Sequence, residues 1–323
     1  MPPDPILVVR ALIVTAAVAG GLAVAAATGA SWLFQRPWRA AHYMLAAIGG
    51  TLGVGVGAYL GCWWLDFLPQ WKLGEIESRF LYLLIPAILV VEMVAAFPYL
   101  PRWSAWGLRI LLAGAAPRLL LHGSTYLADS ASADTNEWTP AQTYLLLGGL
   151  AAALLTVWAA LVYLMRRTGD RCTPLALSGV CAGAAVTIMF GYLTGGELGL
   201  PLAAALAGAG LAALVLPRRG QETGVLGVGV VGLFGLVILG RFFGNLTNTH
   251  AALLFAAPLL CWLPELPGVR RIWPWLRGML RVALVLIPVA LVAMQAHQQF
   301  EEDSKSSSNS EEPTVEDYMN FKP

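Results

Sequence analysis

Long uncharged and mostly apolar segments follow one another along the chain, separated by charged residues and short polar turns. Twenty-five uncharged residues lie between Arg10 and Arg36, and 26 lie between Arg39 and Asp66. A helix needs roughly 20 apolar residues to cross the hydrocarbon core of a bilayer. The pattern therefore predicts membrane-spanning α-helices from the start of the chain.

The predicted fold is an all-α integral membrane protein, a polytopic bundle of about ten transmembrane helices. The region from Arg79 to His122 is ambiguous because Glu92, Arg109 and Arg118 interrupt its apolar stretches. Counting it as a hairpin of two spans gives ten. The predicted spans are 6–33, 41–64, 80–98, 103–122, 139–165, 173–194, 198–216, 224–243, 250–264 and 279–298.

Two domains are predicted, a transmembrane domain over 1–299 and an acidic, disordered tail over 300–323. The tail has seven acidic residues and a serine run, a composition that cannot bury a core. At the other end, the first apolar run stops in a sequence resembling a signal-peptide cleavage site. Asp4 before this run, with Arg36 and Arg39 after it, favours a first span that is retained.

The distribution of basic residues predicts the orientation. With ten spans, 12 arginines fall in one set of loops and six basic residues in the other. The positive-inside rule makes the arginine-rich side cytoplasmic. The protein is therefore predicted to span a cell (inner) membrane with both termini outside the cytoplasm. The 12 arginines are Arg36, Arg39, Arg102, Arg166, Arg167, Arg171, Arg218, Arg219, Arg270, Arg271, Arg277 and Arg281.

Composition agrees with this fold and excludes several functions. Only 12 % of the residues are charged and the mean hydropathy is +0.67, whereas soluble domains carry roughly a quarter charged residues. No basic patch suits nucleic acid. The four cysteines have no metal-binding spacing, and the phosphate-loop, serine-hydrolase and HExxH motifs are absent. The sequence therefore predicts no metal, no cofactor and no catalytic residue, and it favours a protein that is not an enzyme.

Glu92 and Arg109 are the first candidate site. Each lies six residues from the turn of the predicted hairpin, so the two should sit at a similar depth and pair. A charge at mid-membrane costs roughly 2.5–3.5 kcal/mol on insertion scales, so a structural or functional role should explain why two charges are present here. It either locks the hairpin or forms a proton or ion site.

Arg118 and His122 form a second candidate site, for an anionic headgroup or substrate. They are one turn apart on one face of the fourth span, toward the predicted outer leaflet. Pro117 can kink the helix there. Snorkelling of Arg118 to water is the alternative explanation.

The predicted outer turn from Arg241 to His250 is unusually polar, and Asn245, Asn248 and His250 are its candidate site residues. It is either a gate or binding loop, or a plain hydrogen-bonded turn. His122, His250 and His297 all fall at predicted outer span ends, and three histidines at one depth could bind a metal or haem. Since they form no metal-binding spacing motif, the sequence favours interfacial histidines without a ligand.

Glycines predict where helices pack most closely. Gly49, Gly53, Gly57 and Gly61 repeat every fourth residue and line one face of the second span. The helix that covers this face can belong to the same chain, to another membrane subunit or to a second copy in a homodimer.

Two functions follow. The first is a secondary solute or lipid carrier, whose five-plus-five spans would permit an inverted repeat. The alternative is a non-catalytic membrane subunit or scaffold of a larger membrane complex. The environment of Glu92 distinguishes them, since a polar central cavity supports a carrier and a dry helix–helix contact supports a scaffold.

Overall fold

The computed structural model describes residues 5–33, 39–72, 74–123, 140–169, 171–215, 222–266, 269 and 273–309, and within these ranges every regular element is a helix. The elements are α1 (Pro5–Leu33), α2 (Arg39–Trp64), α3 (Ile76–Arg79), a π-helical segment (Phe80–Leu84), α4 (Ile85–Ala95), α5 (Arg102–Leu121), α6 (Pro140–Thr168), α7 (Thr173–Met189), α8 (Leu193–Glu197), α9 (Gly199–Val215), α10 (Glu222–Phe242), α11 (Asn248–Ala256), a 3₁₀ segment (Ala257–Glu265) and α12 (Pro274–Asn309).

Seven helical units in the described residues are long and apolar enough to cross a membrane. They are α1, α2, the unit from α3 to α4, α6, α8 with α9, α10 and α12. The helix α7 is apolar but has 17 residues, α5 carries three arginines, and α11 passes into a 3₁₀ helix. The all-helical architecture is compatible with a multi-pass membrane protein, and the predicted count of ten depends on whether these three units also cross.

The helix α10 forms the centre of the bundle. All residues from Gly224 to Gly240 are buried, and the helix contacts α2, α4, α6, α7 and α9. It is hydrophobic all round, as a helix surrounded by other helices should be. The peripheral helices α1, α6 and α12 bury only 22–28 % of their apolar windows and present the rest to the surroundings.

The glycine face of α2 packs inside this chain. A Cβ atom on Gly53 would lie 2.7 Å from the carbonyl oxygen of Ala19 in α1, and one on Gly61 would lie 2.8 Å from Pro201 in α9. Gly49 and Gly57 approach α1 in the same way. The absence of side chains lets the backbones meet, so α1, α2 and α9 form one tight cluster and the partner of this face is not a second subunit.

Prolines coincide with the changes of helix type. The π-helical segment Phe80–Leu84 ends two residues before Pro86, whose missing N–H leaves a carbonyl one turn earlier without its helical donor. Pro258 likewise stands at the start of the 3₁₀ segment Ala257–Glu265. A proline in the sequence therefore lies at or near each of these two departures from α-helix.

The helix α12 extends beyond the predicted start of the tail. It continues to Asn309, whereas the sequence predicted disorder from Phe300. Glu301 lies at i, i+4 spacing 3.2 Å from His297 and 3.8 Å from Lys305, and such contacts add a little support to an exposed helix. Residues 310–323 lie outside the described residues.

Exposed tryptophans mark the two ends of the bundle. Six tryptophans are 53–78 % exposed and lie at or near helix ends, the position that interfacial indoles take in membrane proteins. These six are Trp63, Trp64, Trp71, Trp103, Trp273 and Trp275.

Candidate functional site

Glu92 and Arg109 form the predicted ion pair. Nε of Arg109 donates to Oε1 of Glu92 at 2.9 Å, and an Nη atom donates to Oε2 at 2.8 Å. The pair is bidentate, the geometry in which guanidinium and carboxylate bind each other most specifically. It joins α4 to α5 across the hairpin, and the side chains are 1 % and 3 % exposed.

The surroundings of the pair are dry. The guanidinium of Arg109 lies over two indole rings, 5.2 Å from the centre of Trp106 and 5.6 Å from that of Trp158. On the other side, a Cβ atom on Gly227 of α10 would lie 2.7 Å from the carboxyl carbon of Glu92. Aromatic faces and helix backbone thus contact the two charges, and cation–π attraction adds to the pairing. The exposed Arg166 at the end of α6 also interacts electrostatically with Glu92.

Arg118 and His122 lie at the end of α5 away from this pair. Both are exposed, while the neighbouring Pro117 is buried. The carbonyl oxygen of His122 accepts a hydrogen bond from an Nη atom of Arg79, whose other Nη atom donates to Gly74 at 2.9 Å. Arg79, which is 7 % exposed, therefore ties the end of α5 to the start of α3. The proposed anionic site at Arg118 and His122 stays a prediction.

The outer turn, residues 241–250, is held by its own polar side chains. Oγ1 of Thr247 accepts from the N–H of His250 at 3.2 Å and caps α11. Nε of Arg241 donates to Oδ1 of Asn248, which links the end of α10 to the start of α11. His250 and Gln295 of α12 are joined through Nε2 and Oε1 at 2.9 Å.

A polar cavity of about 400 Å³ opens beside this turn, between α7, α10 and the end of α12. Asn245 and His250 line it, together with Thr187, Gln299 and Phe300. His250 is 8 % exposed, so most of its ring is withdrawn from the surroundings. The volume falls within the range of small-molecule sites, and carboxylates and arginines are absent from its described lining. Two of the three predicted turn residues thus share one cavity, whereas Asn248 lies on the opposite side of the turn.

The described histidines do not assemble into a metal site. Among the residues that the structure describes, no group of three or more histidine, cysteine or acidic side chains could hold a metal ion. His297 instead packs against Phe190, with ring centres 5.4 Å apart. The side chain of His42 lies outside the described residues.

A buried charge cluster that the sequence did not predict joins the 3₁₀ segment to α12. Oε1 of Glu265 accepts from Arg281, which is 2 % exposed, and lies 3.7 Å from Arg277. The positive-inside count placed both arginines among the loop charges, although Arg281 falls within the predicted span 279–298. The four-residue spacing from Arg277 to Arg281 was the available signal, since it places both on one helix face.

Comparison with known proteins gives no match: no protein-family model, curated protein or solved structure is similar to this chain.

Proposed function

We propose that the chain is a non-catalytic membrane subunit or scaffold of a larger membrane complex. The observation that carries this proposal is the dry enclosure of Glu92 and Arg109. A carboxylate that binds a coupling ion or proton must meet water or substrate during turnover. Glu92 is 2 % exposed and contacts Arg109 and the α10 backbone at Gly227 instead, while the guanidinium of Arg109 lies against two indole rings. The pair acts as a lock between α4 and α5.

The packing of the centre supports the same proposal. A carrier built from inverted repeats places its site at the repeat interface near the midplane, between equivalent helices of the two halves. Here the eighth predicted span, α10, is 89 % buried, whereas its counterpart, the unit from α3 to α4, is 44 % buried. The two helices are not in equivalent positions, and α10 fills the volume that a central pathway would need.

We place this scaffold in a cell (inner) membrane with ten spans and both termini outside the cytoplasm. The ten-span count keeps the arginine-rich loops on one side, as the positive-inside rule requires. A partner subunit would meet the open face of α6, where Gly148, Gly149 and Ala152 are exposed and Cβ atoms on the two glycines would meet nothing within 4 Å. Small residues on an uncovered helix let another helix approach closely.

Purification from the native membrane in mild detergent tests the proposal. We expect stoichiometric recovery of at least one other membrane protein, measured by native mass spectrometry of the intact complex. Gly149→Leu should release this partner while the chain itself stays folded, because the new side chain projects from an open helix face.

Gly114→Leu on α5 is the matched control, since a Cβ atom there also meets nothing within 4 Å. This variant should keep the partner. Recovery of the wild-type chain alone or as a homodimer would refute the proposal of a hetero-complex subunit, and equal loss of partner in both variants would refute the α6 contact.

The polar cavity at the outer turn favours a second candidate, a solute carrier. Its hydrogen-bonding side chains, Asn245, His250 and Gln299, with no carboxylate or arginine in the described lining, suit an uncharged polar solute. In reconstituted vesicles a carrier would accumulate such a solute and would lose uptake in Asn245→Ala. The scaffold proposal expects no uptake by the wild-type protein.

A further inference from the structure

A second cavity lies across the outer turn from the polar one. It is an apolar cleft of about 490 Å³ between α6, α10 and α11. Its lining includes Leu150, Val237, Phe255 and Leu259, and the exposed residues Ala153 and Ala252 show that it reaches the surface of the bundle. A cleft of this character on a membrane-facing surface takes hydrocarbon chains in preference to water.

One end of the cleft carries a positive charge. Arg241 lines it at the end of α10, half-buried, beside Asn248. The bond from Nε of Arg241 to Asn248 and the contact with the Phe242 ring, 5.8 Å from the guanidinium carbon, fix the orientation of the guanidinium. The two Nη groups of a guanidinium can donate in parallel to one anion, a bidentate geometry that suits phosphate.

The lining provides no counter-charge. Aspartate and glutamate are absent from the described residues around the cleft, and Arg241 is the one charged side chain among them. A cation at the interface end of an apolar cleft is complementary to a molecule with a negative headgroup and an acyl chain. A zwitterionic lipid can place the same acyl chain in the cleft, but its headgroup also brings a positive charge toward Arg241.

We infer that this cleft binds an anionic phospholipid of the surrounding bilayer, with an acyl chain between α6 and α11 and the phosphate on Arg241. The inference does not rest on the scaffold proposal, because the apolar cleft and Arg241 both belong to this chain. Arg241 and Asn248 then recognise the lipid headgroup, and Ala252 forms part of the cleft wall that contacts the acyl chain.

Native mass spectrometry of the delipidated protein with equimolar phosphatidylglycerol and phosphatidylcholine of identical chains tests the inference. The wild type should retain phosphatidylglycerol in preference. Arg241→Gln should lower that preference about tenfold, since it removes a charge-assisted bidentate contact. Arg10→Gln, which removes another exposed arginine on the same predicted side, should leave it unchanged.

Two further arms keep the test decisive. Ala252→Phe fills the cleft without touching the charge, so it should displace both lipids even if Arg241→Gln fails to fold. Soluble glycerol phosphate should not compete with phosphatidylglycerol. The inference is overturned by equal retention of the two lipids in the wild type or by an equal effect of Arg10→Gln. Competition from glycerol phosphate would also overturn it, because it would identify a plain phosphate site.

Discussion

Replacing Arg109 with leucine while Glu92 is kept should lower the free energy of unfolding by about 3–5 kcal/mol, the usual cost of breaking a buried ion pair from one side. The carboxylate of Glu92 is 1 % exposed and has both oxygens bound by Arg109. Without this partner it must stay charged in a dry contact or take up a proton. Equilibrium unfolding in mixed detergent micelles measures the loss.

The double variant Glu92→Gln with Arg109→Leu provides the control. It removes both charges, so much of the stability should return, because a buried pair often costs as much in desolvation as it gains in attraction. Glu301→Gln, which breaks the exposed pairs with His297 and Lys305, should change stability by less than about 1 kcal/mol. A small effect of Arg109→Leu, similar to that of Glu301→Gln, would show that the pair is hydrated.

The second large effect is expected at the glycine face of α2. Gly53→Leu should cost about 1–3 kcal/mol or more, the range for overpacking a tight interior, because even its Cβ atom would lie 2.7 Å from a backbone oxygen of α1. A helix backbone cannot yield as a flexible side chain can. The helices α1 and α2 would have to separate, which would also disturb their contact with α9.

Gly114→Leu is again the matched variant. The same substitution in α5 meets open space and replaces a residue that weakens helices by about 0.5–1 kcal/mol relative to alanine, so stability should stay level or rise. Thermal unfolding of the two variants in one detergent makes the comparison. Equal destabilisation would mean that glycine matters for chain flexibility and not for helix contact.

The helices were predictable from the sequence because candidate membrane spans are recognised as long apolar segments without charged residues. The hairpin pair was also predictable, since Glu92 and Arg109 lie at matched distances from a single turn, and an unpaired charge there is costly. The burial of α10 was not predictable. Several other spans are equally apolar, and only three-dimensional packing decides which one becomes central.

The sites were harder to predict than the spans. Asn245 and His250 were identified as polar turn residues, but their shared cavity depends on α7 and α12, which are distant in sequence. Glu265 and Arg281 were missed because they appeared to be ordinary loop charges at two separate span ends. The helical stretch from Phe300 to Asn309 was missed because composition alone gives no weight to i, i+4 pairing.

The native cysteines test the central claim of a closed bundle most directly. Cys62, Cys181 and Cys261 are at most 1 % exposed, and Sγ of Cys181 lies 3.8 Å from the carbonyl oxygen of Gly229 in α10, whereas Cys172 is partly exposed. Maleimide labelling of the wild-type protein in its membrane, read by mass spectrometry, should modify no cysteine except Cys172 until denaturant is added. Labelling of Cys181 in the folded protein would show that water enters between α7 and α10, as a carrier requires, and would contradict the scaffold proposal.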